Sequence, residues 1–210
     1  MKLKAVLKPL ALCAGLLLSN CGEKPRNEFL LPVMGPKTLE GKDTVYHHIG
    51  TFRFTNQFGK PLTNHDISGK IVVSNFFFAS CQSICPEMSS NLKQVQAAFD
   101  LQDSVLILSH TVNPMNDTVE VLRQYAELYG AKAGKWHFLT GKKDDIYALA
   151  KNDYLVNALE DDGSPGGFLH SELFLLLDTK GRIRGMYDGT SKADVQKLIG
   201  DIHLLLREQN

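Results

Sequence analysis

The chain has 210 residues, of which 43% are hydrophobic and 22% charged, a composition typical of one globular domain and not of a disordered or fibrous protein. Its 23 basic and 23 acidic residues balance, so no strongly basic surface indicates a nucleic-acid partner. The function therefore has to be inferred from local motifs.

The N-terminus has the layout of a secretory signal peptide. Three lysines precede an apolar stretch from Leu10 to Leu18, which is too short to span a bilayer comfortably. The run "LLSNC" resembles a bacterial lipobox, in which the cysteine carries lipid. We therefore expect a lipoprotein-type signal peptide at residues 1–20 and a lipid anchor at Cys21. Such an anchor would hold the protein to a membrane of the cell envelope, facing the periplasm or the exterior.

Residues 21–45 mix proline, glycine and charge, which predicts a tether and a peripheral extended segment. The folded domain is expected at residues 46–210. Its first predicted element is a strand in "GTFRFTNQFG", where phenylalanines alternate with polar residues before a glycine turn.

The centre of the chain alternates predicted strands and helices. "GKIVVSNFFFAS" and "SVLILSH" are almost continuously apolar, which is typical of buried strands. After the first strand a helix is predicted from Pro86, and after the second a helix in "NDTVEVLRQYAELYG" that ends at Gly130. Asp117 and Thr118 are expected to cap this second helix. "WHFLTG" predicts a further strand and "KKDDIYALAKND" a further helix.

The C-terminal part predicts a hairpin in "SELFLLLDTKGRIRGMYDG" and a closing amphipathic helix capped by Ser191. Together these elements predict an α/β fold with a mixed central sheet and helices on both faces, an architecture that resembles the thioredoxin fold. Ligands of such folds gather at the carboxyl ends of the strands, where "SCQSICPEM" lies.

Two cysteines in this motif, Cys81 and Cys85, remain once the signal peptide and Cys21 are set aside. A disulfide across so short a loop adds little stability, which makes a purely structural bridge a poor use of the pair. Near the start of a helix both thiols are expected to have a lowered pKa. Thiolates are nucleophiles in disulfide exchange and soft ligands for copper(I), so the pair alone leaves redox chemistry and metal binding open.

The histidines offer a further ligand. His170 follows the glycine-rich "EDDGSPGGFL" and directly precedes the strand "SELFLLLD", which places it on a loop that enters the sheet. Taken alone, this position also fits an ordinary loop histidine. The other six histidines are weaker candidates: His47, His48, His65, His110, His137 and His203. Met115, in "NPMNDT", is expected to be a plain loop methionine.

With these motifs in view, the chain resembles the Sco (SenC) family of copper-binding proteins from about Phe52 to about Leu206. The resemblance is carried by "FTNQFGKPLT", "GKIVVSNFFFASCQSICPEMSSNL", "NPMNDTVEVLRQYAELYGA", "WHFLTG" and "FLHSELFLLLDTKGRIRGMYDG". It implies a thioredoxin-like domain in which Cys81, Cys85 and His170 bind one copper ion, copper(I) or copper(II). It also implies that the protein delivers copper to a cytochrome oxidase subunit or reduces the cysteine pair of that subunit.

Two positions depart from the family pattern. Gln82 stands where the family commonly has proline, and Asn113 where it often has aspartate. Neither is a proposed ligand, but both bear on copper affinity and redox potential.

Three alternatives remain. The first is a thiol-disulfide oxidoreductase of the cell envelope, in which Cys81 attacks a target disulfide and Cys85 resolves the mixed disulfide. A peroxidase is disfavoured because no Thr-x-x-Cys arrangement is found. A passive lipoprotein with an inert disulfide is the third.

Overall fold

The computed structural model describes residues 31–156 and 171–208. Within them a seven-stranded mixed sheet has the order β4-β3-β7-β6-β5-β8-β9, beside a separate hairpin of β1 and β2. The strands are β1 (Lys37–Glu40), β2 (Asp43–Tyr46), β3 (Arg53–Asn56), β4 (Pro61–Thr63), β5 (Ile71–Phe77), β6 (Val105–Thr111), β7 (Trp136–Thr140), β8 (Leu173–Leu177) and β9 (Ile183–Asp188). The helices are α1 (Asn64–Ile67), α2 (Cys85–Ala98), α3 (Val119–Tyr129), α4 (Lys143–Ala148) and α5 (Lys192–Glu208).

Strands β5 and β6 form the parallel centre of the sheet, and every residue in both is buried. Their register runs from Ile71 opposite Val105 to Phe77 opposite Thr111. Near-continuous apolar character is what a strand needs when both sheet faces are covered, so the prediction of two buried strands is confirmed.

Helices cover both faces of the sheet. Helices α2, α3 and α5 lie on the face where Phe77 packs against Tyr125, with ring centroids 5.1 Å apart. On the other face Phe76 contacts Tyr154, which follows α4 and a π-helical turn at Leu149–Asp153. The predicted mixed sheet with helices on both faces is therefore confirmed.

The predicted helix boundaries are close to those observed. Helix α2 begins at Cys85, one residue before the predicted start, and Pro86 occupies its first turn. Helix α3 ends at Gly130, whose left-handed φ of 66° suits a residue without a side chain. The β8–β9 turn closes with a bond from the Gly181 amide to the Asp178 carbonyl, 2.9 Å long.

The N-terminal segment includes an element that the sequence did not indicate. Residues 37–46 form the exposed β1–β2 hairpin, where only an extended segment was expected. Leu31 and Pro32 precede this hairpin in the chain. Their carbonyls accept hydrogen bonds from the buried Arg184 side chain, at 2.7 and 3.1 Å. The same guanidinium pairs with Asp178 and Glu208. We call this group the Arg184 clamp; it fastens residues 31–32 to β9 and the end of α5.

Candidate metal and thiol site

The cysteine loop runs from the end of β5 to the start of α2. Its first turn is closed by the Cys81 amide, which donates to the Phe78 carbonyl over 3.2 Å. Cys81 is 7% exposed and Cys85 4% exposed, and both are free thiols. Central strand β5 thus delivers two soft sulfur donors to the carboxyl end of the sheet, as predicted.

The two thiols differ in acidity. Burial acts to raise the pKa of Cys81, but hydrogen bonds from Ser83 and from Cys85 outweigh it and leave that pKa lowered. The Ser83 hydroxyl lies 3.4 Å from the Cys81 sulfur. Burial instead raises the pKa of Cys85 to about 12, and the charges of Cys81 and Asp117 push it in the same direction. The expectation that the helix start lowers both pKa values is therefore wrong for Cys85, because desolvation outweighs the helix dipole there.

Asp117 joins the cysteine loop to the loop after β6. Its carboxylate, in a residue only 1% exposed, accepts from the Ala79 amide at 3.0 Å and from the Thr111 hydroxyl in a short hydrogen bond. Burial raises the pKa of Asp117, and these two bonds oppose the rise. The prediction that Asp117 caps α3 is wrong, because its side chain points back toward the cysteine loop. Thr118 is the cap, and its hydroxyl accepts from the Val121 amide.

Tyr125 forms part of the wall beside Cys85. Its hydroxyl is 3.0 Å from the Ser89 hydroxyl on α2, and its ring packs against Phe77 and Phe138. Burial raises the pKa of Tyr125, and the charge of Cys85 adds to the rise. The phenol therefore stays neutral and adds no charge beside Cys85.

The two departures from the family pattern lie on the surrounding loops. Gln82 is exposed between the cysteines. Asn113 is buried. Its backbone amide donates to the Thr111 hydroxyl, and its side-chain oxygen accepts from the Asn116 side chain over 3.2 Å. Asn113 thus orders the loop that carries Asp117. Met115, in the same loop, is 83% exposed, in agreement with a loop methionine.

Within residues 31–156 and 171–208, no three histidine, cysteine or acidic side chains converge to hold a metal ion. His110 and His137 therefore do not complete a ligand set with the cysteines. His170, the predicted third ligand, and Cys21, the predicted lipid site, lie outside the described residues. The signal peptide predicted at residues 1–20 lies outside them as well.

The register of the sheet nevertheless bears on His170 through the residue that follows it. Strands β5 and β8 are antiparallel, with Ser74 opposite Leu175 and Val72 opposite Leu177. Continuing that register places Ser171 opposite Phe78, at the start of the cysteine loop. Ser171 is buried, and its hydroxyl accepts from the Leu173 amide. The chain therefore enters β8 at the same end of the sheet at which Cys81 and Cys85 lie.

Comparison with known proteins adds a family to this geometry. The model of the SCO1/SenC family matches residues 40–207. A SCO1/SenC family lipoprotein from Bacillus anthracis is 31% identical, with a TM-score of 0.69 over 76% of this chain and 95% of that one. BsSco, described as a Sco family member with a disulfide switch, is 26% identical, with a TM-score of 0.65 over 75% and 92%.

Bradyrhizobium japonicum ScoI with copper bound shares the fold, with a TM-score of 0.63 at 23% identity over 75% of this chain and 99% of that one. None of the helices in the described ranges has both the length and the apolar character needed to cross a membrane.

Proposed function

The chain belongs to the SCO1/SenC family, and from this we propose that Cys81, Cys85 and His170 bind one copper ion that the protein uses in cytochrome oxidase assembly. BsSco is described as belonging to a family of cytochrome c oxidase assembly proteins, and ScoI binds copper. One observation supports this ligand set above others. The β5–β8 pairing is recorded as far as Ser74 and Leu175, and its continuation would bring the residue after His170 to the level of Phe78, at the start of the cysteine loop.

The thiols fit copper as cargo. Both sulfurs are reduced and shielded from solvent, and thiolate with imidazole suits copper(I). The pKa of Cys81 is lowered, whereas that of Cys85 is raised to about 12, so Cys85 keeps its proton at neutral pH until a cation replaces it. Copper uptake therefore releases protons, and its affinity rises with pH. The buried Asp117 carboxylate adds negative charge that favours the bound cation.

Competition with a coloured copper(I) chelator tests the ligand set on the reduced protein. We expect Cys81→Ser, Cys85→Ser and His170→Ala each to lose about a hundredfold or more in affinity, beyond what the loss of an outer-shell partner costs. His203→Ala, on α5, is the matched control and should bind like wild type. Wild-type affinity in the His170→Ala variant would remove His170 from the ligand set, while wild-type affinity in the cysteine variants would refute copper binding by the pair.

The second candidate is thiol-disulfide exchange, favoured by the contrast between the lowered pKa of Cys81 and the raised pKa of Cys85. The Cys81 thiolate would attack a target disulfide and expel one target thiolate. Cys85, on losing its proton, would then attack the Cys81 sulfur and release the second target thiol, so that the target gains two electrons and the pair becomes a disulfide.

This redox reading is tested by the reduction potential of the pair and by turnover of a model disulfide. A potential outside the periplasmic range, together with no turnover, would exclude it without affecting copper binding.

Membrane attachment through Cys21 is a further part of the proposal. It is supported by the "LLSNC" run and by the Bacillus anthracis relative, which is described as a lipoprotein. Intact-mass measurement of the membrane fraction should show acylation, and Cys21→Ala should abolish it. A mature protein that begins elsewhere and carries no lipid would refute the anchor while leaving the copper site untouched.

A further inference from the structure

A buried polar cluster lies on the sheet face opposite α2. It consists of Ser74 on β5, His110 on β6 and Tyr154 after the π-helical turn, and each is completely shielded from solvent. His110 stacks on Phe76, its partner in the strand register, with ring centroids 5.2 Å apart. The Tyr154 ring lies 5.6 Å from the His110 ring. Ser74 is two residues before Phe76 and so points to the same face.

Four polar atoms of this cluster are unpaired among the described residues. In the part of the chain that the structure describes, no hydrogen bond reaches the Ser74 hydroxyl, the Tyr154 hydroxyl or either ring nitrogen of His110. The Ser74 hydroxyl lies near enough to Tyr154 to oppose the pKa rise that burial causes there, without hydrogen-bond geometry. A buried polar atom without a partner is costly, and four in one place is unusual in a folded protein.

On the opposite face of the same two strands, buried polar side chains are hydrogen-bonded to one another. There the Ser109 hydroxyl donates to Asn75 over 2.6 Å and accepts from the Trp136 indole at 2.9 Å. That network is bonded within the protein, although it is equally buried. Because buried polar groups on that face are paired, we expect the polar atoms of Ser74, His110 and Tyr154 to be paired as well, with a ligand instead of a protein side chain.

The chemistry of the cluster selects its ligand. Burial lowers the pKa of His110 to about 3, so the ring is neutral, with one donor and one acceptor nitrogen. The two hydroxyls also donate and accept. The walls contacting His110 are aromatic, from Phe52, Phe54 and Phe76. Such a site suits a small neutral molecule that both donates and accepts hydrogen bonds.

We propose that Ser74, His110 and Tyr154 form a binding site for internal water, holding one or two molecules that complete their hydrogen bonds. A cleft of about 300 Å³ between β3 and α4 is lined by Phe52, Phe54 and Leu149. Two of these rings also contact His110, so the cleft lies next to the cluster, with the rings between them.

Thermal unfolding of Ser74→Ala and Tyr154→Phe tests the site, with Ser109→Ala as the control that removes bonds made within the protein. If water pairs the hydroxyls, each variant should lower Tm by about 2–4 °C, and Ser109→Ala, which removes two bonds made within the protein, should lower it at least as much. If the hydroxyls are unpaired, their removal should leave Tm unchanged or raise it, which would overturn the proposal.

Nuclear Overhauser effects between water and the His110 ring protons give a second measurement that does not depend on a variant. We expect cross-peaks with the sign of a long-lived bound water. Their absence, or a crystal structure with a protein atom bonded to the His110 nitrogens, would refute the site. Copper affinity should be unchanged in Tyr154→Phe, so this result stands apart from the ligand proposal.

Discussion

Two buried carboxylates, Asp117 and Asp178, lie at opposite ends of the central sheet and differ in their partners. Asp178, near the start of β5, accepts from Arg182 at 2.7 Å and from Arg184 at 3.2 Å. Asp117, at the carboxyl end, accepts from an amide and a hydroxyl, and within the described residues it has no lysine or arginine ion-pair partner. One charge is cancelled inside the fold, whereas the other remains available to respond to a proton or a metal at the thiols.

The largest expected effect, on the free energy of unfolding, comes from removing the arginine that cancels the charge of Asp178. Arg184→Met leaves Asp178 and Glu208 without their shared guanidinium, and removing one partner of a buried ion pair costs about 3–5 kcal/mol. Urea unfolding should therefore show a large loss of stability. Arg123→Met, which removes only an exposed pair with Glu120, is the control and should leave the stability close to that of wild type. Equal losses in the two variants would show that the clamp is no more than a surface contact.

The next effect separates the shape of Asp117 from its charge. Asp117→Ala leaves the Ala79 amide and the Thr111 hydroxyl without an acceptor, for a loss of about 1–3 kcal/mol. Asp117→Asn keeps an acceptor oxygen.

Because burial raises the folded pKa of Asp117 above 3.8, the folded state holds that proton more tightly than the unfolded chain. Ionisation of Asp117 therefore costs stability as pH rises from about 3.8 through the folded pKa. In urea unfolding, the stability of Asp117→Asn relative to wild type should therefore increase as pH rises above about 3.8, and a constant difference would contradict a raised pKa.

A smaller effect concerns the acidity of Cys85. Cys81 and Asp117 both raise its pKa, so Cys81→Ser has to be the reference for the effect of Asp117. Ultraviolet titration of thiolate absorbance should give a lower Cys85 pKa in Cys81→Ser/Asp117→Asn than in Cys81→Ser. Asp145→Asn, an exposed change on α4, is the control and should leave the titration unmoved. An unchanged Cys85 pKa in the Asp117→Asn variant would refute an electrostatic interaction between the two loops.

The smallest effect isolates the helix cap next to Asp117. Thr118→Ala removes the acceptor of the Val121 amide and should cost about 0.5–2 kcal/mol. It should leave the thiol titration as in wild type, because Thr118 carries no charge. A shifted titration would mean that the loop moves as a whole and that Asp117 acts by position, not by charge.

Much of the fold could be predicted from short sequence patterns, because a strand or a helix end depends mainly on residues close together in the chain. Continuous apolar runs predicted β5 and β6, and Pro86 and Gly130 predicted the start of α2 and the end of α3 within a residue. The position of the cysteines at a strand end was also predictable. These features depend on neighbours in sequence, so the sequence displays them directly.

What the sequence did not reveal depends on contacts between distant residues. The split in thiol acidity arises because Cys85 is more deeply desolvated than Cys81, which no spacing encodes. Asp117 looks like a cap in sequence because it precedes a helix, yet its partners are Thr111 and Ala79. The next residue, Thr118, is also a residue type that favours caps, and it is the one that caps α3.

The Arg184 clamp has a consequence for how the domain stands at a membrane. It fixes Leu31 near the amino end of β5, and seven-residue β5 separates that end from the cysteine loop by about 20 Å. Ten residues beyond Cys21 reach at most about 35 Å. If Cys21 is the anchor, as we propose, the tether joins the domain at the end of the sheet away from the thiols. Its reach is longer than β5, so the anchored domain could turn its thiols toward the lipid surface or away from it.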